Sequence, residues 1–272
     1  MTDPECVQFL QWALPRLRFR WPGFRKVRRT VCKRLERRFR ELGVPDHAAY
    51  RAYLEAHAEE WRVLDTLCTI TISRFYRDRQ AFAALQQDVL PALVQLVVGR
   101  GEPALRCWSI GCASGEEPYT LSIIWRLGLK DPVPCDLRIM ATDIDDELLV
   151  RARIGCYPAS SVKELPPDWL AAAFTRSNGL YCLPEEYRRP VVFLRQDIRS
   201  VTPEGPFHLI LCRNLAFTYF DEAMQRNVLA TITARLVTQG ALVIGSTESL
   251  PEPAVGFAEW GGSRGIWRRS SG

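Results

Sequence analysis

The chain has 272 residues, 47% of them apolar, and a net charge of +5, enough for one large domain or two small ones with a substantial core. It holds no run of about 18 apolar residues, so no membrane insertion is expected, and its start, Met1-Thr-Asp-Pro-Glu, lacks the basic-then-apolar pattern of a secretory leader. Nine cysteines without a CxxC, and three histidines (His47, His57, His208) without ligand spacing, argue against a disulfide framework or a metal site and for reduced thiols in a cytoplasmic protein.

Residues 1–75 read as a helical subdomain. Asp3-Pro4 opens a helix from Glu5 to about Leu14, and Trp21-Pro22-Gly23 breaks the chain. A second helix is expected from about Phe24 to Leu42, stopping at Gly43. At about 100° per residue, Val27, Val31, Leu35 and Phe39 share one face of it, and Lys26, Arg29, Lys33, Arg37 and Arg40 line another. Asp46 caps a third helix at 48–56, and 61–67 reads as a fourth. Residues 16–40 hold twelve Lys/Arg and one acid, Glu36, a net +11 on a body of net −6. A solvated face is one reading of this stripe. The near-absence of acids favours the other, a field that steers an anionic partner.

The segment Thr69-Ile-Thr71-Ile-Ser73-Arg74-Phe75-Tyr76-Arg77-Asp78 is dense in hydroxyls, aromatics and arginines, more than a simple connection requires. After a helix at about 79–98, apolar β-rich runs at 104–112, 137–144, 190–197, 207–214 and 241–247 alternate with helical stretches at 116–127, 146–154 and 221–236. Such alternation predicts a parallel sheet covered on both faces. Residues 157–189 interrupt it with a short helix at 167–174 and a hairpin centred on Asn178-Gly179.

The chemistry concentrates where the expected strands end. The first run enters a turn of small residues, Gly111-Cys112-Ala113-Ser114-Gly115, and a helix then starts with Glu116, Glu117 and Pro118. Strand, small-residue turn and helix form the nucleotide-site plan of doubly wound folds. Here the two carboxylates repel phosphate, so a cationic, phosphate-free nucleotide fits, and S-adenosylmethionine is one. Neither G-x-G-x-x-G nor a phosphate-binding loop is present. The second run ends in Ala141-Thr142-Asp143-Ile144-Asp145; Asp143 reads as a ribose acceptor or a turn residue, and Asp145 as the cap of the next helix. Asp197-Ile198 suits the amino group and face of an adenine, or a plain strand-end turn. Arg213-Asn214 is costly to bury without partners and falls beside the same cleft.

These segments resemble the chemotaxis-receptor methyltransferases of the CheR type. That family shows T-x-F-F-R-D, S-T-G-E-E-P-Y-S, A-T-D-I-D and C-R-N-V-x-I-Y-F-D. Here they stand as Ser73-Arg-Phe-Tyr-Arg77-Asp78, Ala113-Ser-Gly-Glu-Glu-Pro-Tyr119, Ala141-Thr-Asp-Ile-Asp145 and Cys212-Arg-Asn-Leu-Ala-Phe-Thr-Tyr-Phe-Asp221. The resemblance spans roughly residues 20–270. It implies an α/β, Rossmann-like class I methyltransferase sheet at 76–272, with the helical subdomain before it and the small β insertion inside it. It also implies S-adenosylmethionine as cofactor, S-adenosylhomocysteine as product, and protein glutamate side chains as acceptors.

By position, Arg77 meets the methionine end and the acceptor, with Thr71 and Ser73 lining that end and Gly111 and Ala113 in the cofactor turn. Glu116 or Glu117 faces the methionine amino group, Asp143 the ribose, and Asp197 with Ile198 the adenine. Arg213 and Asn214 close the floor, and Tyr219 matches the family's active-site tyrosine. The implied partner is an acidic helical segment, such as a chemoreceptor cytoplasmic domain, docked on the Lys26–Arg40 stripe by a monomeric enzyme.

Ser73 and Tyr76 depart mildly from the pattern, and Asp197 stands where asparagine is usual. The stretch after Asn214 is one residue longer, so either Thr218 or Tyr219 takes the tyrosine's place. Three other readings remain: a different protein or small-molecule acceptor, a non-catalytic cofactor-binding module, and a nucleic-acid methyltransferase. The last is disfavoured, since no aromatics interleave with the basic stripe.

Overall fold

The computed structural model describes residues 3–130 and 133–270. The chain divides into two compact units. One comprises the chain up to Thr71 with Thr218–Gln225; the other comprises Ile72–Phe217 and everything from Arg226 onward. The division falls just ahead of the boundary expected at residue 75, and a short segment from late in the chain joins the helical unit.

The helical unit contains α1 (Asp3–Ala13), α2 (Trp21–Phe24), α3 (Arg28–Leu42), α4 (His47–Ala56) and α5 (Glu60–Cys68). Trp21-Pro22-Gly23, expected as a break, instead forms a single helical turn with Pro22 in its first positions, where a missing N–H costs nothing. The long helix consequently starts at Arg28 rather than Phe24. A side chain on Gly23 would come within 2.3 Å of the Thr218 carbonyl oxygen, so glycine admits the late segment. That segment is held further by the Arg18–Asp221 ion pair and by Phe19 stacked on Phe220. α3 ends at Gly43 with φ +68°, and the Asp46 carboxylate accepts the Ala49 N–H at 2.8 Å, both as expected. The α3 faces separate cleanly: Val31, Leu35 and Phe39 are buried, whereas Lys26 (just before the helix), Arg29, Lys33, Arg37 and Arg40 are all exposed.

The second unit is built on a seven-stranded sheet. In chain order the strands of the unit, three of them in a separate small sheet, are β1 (Ala104–Ile110), β2 (Asp136–Asp143), β3 (Cys156–Tyr157), β4 (Thr175–Ser177), β5 (Leu180–Cys182), β6 (Val191–Arg195), β7 (Phe207–Leu211), β8 (Leu236–Val243), β9 (Phe257–Glu259) and β10 (Ile266–Arg269). The spatial order is β6-β2-β1-β7-β8-β10-β9. The first five strands run parallel and β10 and β9 antiparallel, an α/β, Rossmann-like sheet as expected. The strand order reverses between β1 and β7, the place where doubly wound sheets open a crevice at the carboxyl ends of their strands.

Along the chain, helices α6 (Arg79–Gly99), α7 (Glu116–Ile123), α8 (Asp146–Ile154) and α9 (Glu222–Arg235) accompany the strands. By length and composition α6 could cross a membrane, but Phe82, Leu85, Val89, Leu93 and Val97 on it belong to the core of this unit. Its π turn at Leu85–Val89 lies just before Pro91, which has no N–H to close an ordinary helical bond.

Three features differ from expectation. β8 starts at Leu236 rather than Ala241, with an irregular register against β7 where Gln239 takes φ +68°. β9 and β10 were not anticipated, being too short to leave a pattern. The insertion holds a three-stranded sheet, β3-β5-β4, rather than a hairpin alone.

The cysteines require a larger correction. Cys6–Cys32 joins α1 to α3 and Cys156–Cys182 joins β3 to β5, where all thiols had been expected free. In each case packing sets two side chains face to face: on buried helix faces, and at directly opposed positions of an antiparallel pair. Both pairs are 26 residues apart, which leaves no local signal. Cys107 and Cys212 remain free and buried, as expected of core residues.

Candidate functional site

β1 stops because Gly111 turns the chain at φ +69°, Ala113 follows at +48° and Gly115 at +90°. Gly115 must be glycine on steric grounds too: an added Cβ would lie 3.0–3.1 Å from Ala152, Phe193 and Tyr119. The Gly111 and Cys112 N–H groups both donate to the Thr142 carbonyl, which ties the turn to the end of β2. Asp143, at that end, is buried. It accepts the Ala113 N–H at 2.8 Å and the Asp145 N–H at 3.0 Å. Asp143 is therefore a turn organiser first, and what it offers a ligand is its remaining lone pairs. Asp145 caps α8, accepting the Glu147 and Leu148 N–H groups.

The two glutamates that open α7 part ways. Glu116 is buried against Ser114, whose hydroxyl lies 3.1 Å from both carboxylate oxygens, and it also bonds Ser73. Glu117 accepts the Ser109 hydroxyl at 2.8 Å and Arg213 Nη1 at 3.1 Å. Burial pushes Glu116, Glu117 and Asp143 above their ordinary carboxylate range.

Arg213, just beyond β7, is the hub of the floor. Its Nη2 donates to the Arg77 carbonyl at 2.8 Å and lies 3.5 Å from Asp78, and its guanidinium sits 4.8 Å over the Phe82 ring. Its Nε is buried without a hydrogen-bond partner. Arg77 is half-buried and donates through Nη1 to the Ile72 carbonyl, leaving further N–H groups for other partners. Asn214 takes φ +55°.

Gly111, Ala113, Glu116, Glu117, Asp143, Ser73, Arg77 and Arg213 thus form one connected cluster at the carboxyl end of the sheet. Asp197 joins its rim, since the neighbouring Gln196 N–H donates to the Asp143 carbonyl. However, both Asp197 oxygens are engaged by Arg199, through its backbone N–H at 2.9 Å and its guanidinium at 2.8–3.0 Å. Half-buried Ile198 follows. Thr71 and Tyr219 fall in the helical unit, where the Tyr219 carbonyl accepts the Arg20 N–H and its ring meets Phe24 edge-on at 5.1 Å. The lengthened stretch after Asn214 is absorbed as a helical turn, Ala216–Tyr219.

Sequence reasoning missed three contributors. Tyr157, in the insertion, donates to the Ser114 carbonyl at 2.7 Å, and Ser109 orients Glu117; neither leaves a local signal. Glu248 accepts N–H groups from both Asn214 and Gly245. It follows a strand as an acid, the same signal that marked Asp143 and Asp197.

The cluster suits a cationic nucleoside. Two carboxylates, Glu116 and Asp143, are buried and a third, Glu117, is half-buried; the ionised forms of all three are disfavoured, and a sulfonium and an ammonium group would relieve that cost. S-adenosylmethionine therefore fits the residues present.

Comparison with known proteins agrees. The family described as "CheR methyltransferase, SAM binding domain" matches residues 71–265. A "Chemotaxis protein methyltransferase 2" of Vibrio cholerae is 31% identical over 229 residues, covering 81% of this chain and 77% of that protein. An "Uncharacterized 104.1 kDa protein in hypE 3'region" of Rhodobacter capsulatus is 32% identical over 245 residues, 88% of this chain; the chain spans only 25% of that protein's length. Among solved structures, the N-methyltransferase NodS of Bradyrhizobium japonicum is 14% identical with a TM-score of 0.36, covering 72% of this chain and 97% of that one.

Proposed function

The chain belongs to the CheR methyltransferase family, and from that premise we propose that it methylates glutamate side chains of an acidic, helical, chemoreceptor-type protein in the cytoplasm, acting as a monomer. The observation that carries the reading is the gathering of Glu116, Glu117 and Asp143 around one small-residue turn, where desolvation disfavours their ionised forms, an environment matched to a cationic nucleoside. S-adenosylmethionine, when bound, supplies an electrophilic sulfonium methyl.

A glutamate acceptor is already ionised at neutral pH and needs no general base, which accords with a site built of positioning groups. In this reading Arg77, with Ser73 lining the same end, orients the acceptor carboxylate and the methionine end. Gly111 and Ala113 shape the backbone cradle, and Asp197 with Ile198 borders the adenine. Transfer neutralises a carboxylate and a cation together, so water exclusion and alignment are what the protein contributes. The exposed row Lys26, Arg29, Lys33, Arg37 and Arg40 supports docking of an acidic helix by charge complementarity.

The test is incubation with methyl-labelled S-adenosylmethionine and an acidic chemoreceptor cytoplasmic fragment. Base-labile label on the fragment, lost with Arg77→Ala, is the expected outcome. Base-stable label, or near-normal transfer by Arg77→Ala, would overturn it.

A further inference from the structure

We propose that Glu248 is a positioning residue for the cofactor cradle, clamping the loops that leave β7 and β8 with one carboxylate oxygen. Its Oε2 accepts the Asn214 N–H at 2.9 Å and the Gly245 N–H at 2.6 Å. The Glu248 N–H in turn donates to the Gly245 carbonyl. The clamp is tight: a Cβ on Gly245 would lie 2.9 Å from Oε2 and 3.1 Å from Asn214 Oδ1.

Asn214 is the joint of the floor. Its left-handed backbone, φ +55°, is a conformation that L-residues hold only when their surroundings enforce it. The clamped N–H is what enforces it here. On one side of the joint lies Arg213, bonded to Glu117 and to the Arg77 carbonyl. On the other lies Leu215, whose Cδ2 occupies the space a Gly111 side chain would need, 2.7 Å from the ideal Cβ position. A shift at Asn214 is therefore felt both by the carboxylate that opens α7 and by the turn that starts the cofactor site. Glu248 acts through the joint. A neutral group at the same place would hold the two N–H groups more weakly, since charge-assisted bonds are the stronger kind.

The proposal rests on S-adenosylmethionine occupying the carboxyl end of the sheet. The experiment is calorimetric titration of S-adenosylmethionine into the unaltered protein, Glu248→Ala, Glu248→Gln and Gly245→Ala, with thermal melts of each. We expect Glu248→Ala to weaken binding about tenfold or more, the loss of one charge-assisted bond pattern. Glu248→Gln, which keeps an acceptor oxygen, recovers most of the affinity. Gly245→Ala, whose Cβ would press on the carboxylate at 2.9 Å and wedge the clamp apart without removing it, weakens binding in the same direction. In turnover the change falls on KM for S-adenosylmethionine more than on kcat. A merely structural role would lower the melting temperature and leave the dissociation constant of the folded fraction unchanged, and that result would sink the proposal alone. If the unaltered protein failed to bind, the cofactor reading beneath it would fall as well.

Discussion

Two glutamates, one buried in the helical unit and one half-buried in the other, have nearly the same neighbours and opposite chemistry. Glu60 in the helical unit meets an arginine, Arg38, and a hydroxyl, Tyr50; Glu117 in the methyltransferase unit meets Arg213 and Ser109. Burial opposes ionisation of both. For Glu60 it is outweighed: Arg38 donates from Nε at 2.9 Å and Nη2 at 2.7 Å, Tyr50 adds its hydroxyl at 2.8 Å, and the carboxyl ends below its ordinary range. For Glu117 burial wins, and the carboxyl ends above it. The difference lies in how the guanidinium is spent. Arg38 gives Nε and Nη2 to Glu60 in the strong bidentate arrangement, leaving Nη1 for Glu41 at 3.2 Å. Arg213 divides its fork among Glu117, the Arg77 carbonyl and Asp78. Glu60 is thus a finished structural contact, whereas Glu117 retains unmet demand for positive charge, as a carboxylate facing a cationic ligand should.

Removing the arginines is the harshest way to break that comparison. Arg213→Ala and Arg38→Ala should each lower the unfolding free energy by about 3 kcal/mol in urea titrations, because each leaves a buried carboxylate unpaired. Only Arg213→Ala should also weaken S-adenosylmethionine binding; an equal loss in Arg38→Ala would erase the distinction.

A gentler test uses pH and the neutral isosteres. Glu60, held low, contributes stability above its unfolded pKa that is lost as pH falls through its folded value. Glu117, with Glu116 and Asp143, is held high, so the free protein loses their contribution as pH rises through the raised range. A cationic ligand reverses that preference, and affinity should climb with pH across the same window, with protons released on binding. Calorimetry in buffers of different ionisation enthalpy measures that release. Glu60→Gln should cost about 1–3 kcal/mol. Glu117→Gln should leave stability at pH 8 unchanged or higher, yet weaken the ligand.

The smallest effect on stability belongs to the exposed stripe. Lys33→Glu with Arg37→Glu should change the unfolding free energy by only about 0.5 kcal/mol, since such charges are well solvated. Methylation of an acidic acceptor should nonetheless fall several-fold at low salt and converge with the unaltered protein at high salt. Unchanged methylation at low salt would remove the docking role.

Much of this was legible in the chain. Apolar runs predicted five parallel strands, Asn178-Gly179 the hairpin, Asp46 and Asp145 the helix caps, and Gly43 a helix end, because periodicity and turn chemistry are local. The acids at strand ends, Asp143 and Asp197, marked the ligand side for the same reason. The sequence also determined the cofactor's chemistry, through two carboxylates at the start of a helix after a small-residue turn. Tertiary structure alone decided what each charge was free to do. Asp197 is taken up by Arg199, Glu117 receives one N–H of its arginine and Glu60 two, and Glu248 reaches back 34 residues to Asn214. It alone decided, too, that Cys6 meets Cys32 and Cys156 meets Cys182. Partner counts, burial and cross-chain distances set those outcomes, and none of them is written within a few residues of the group they govern.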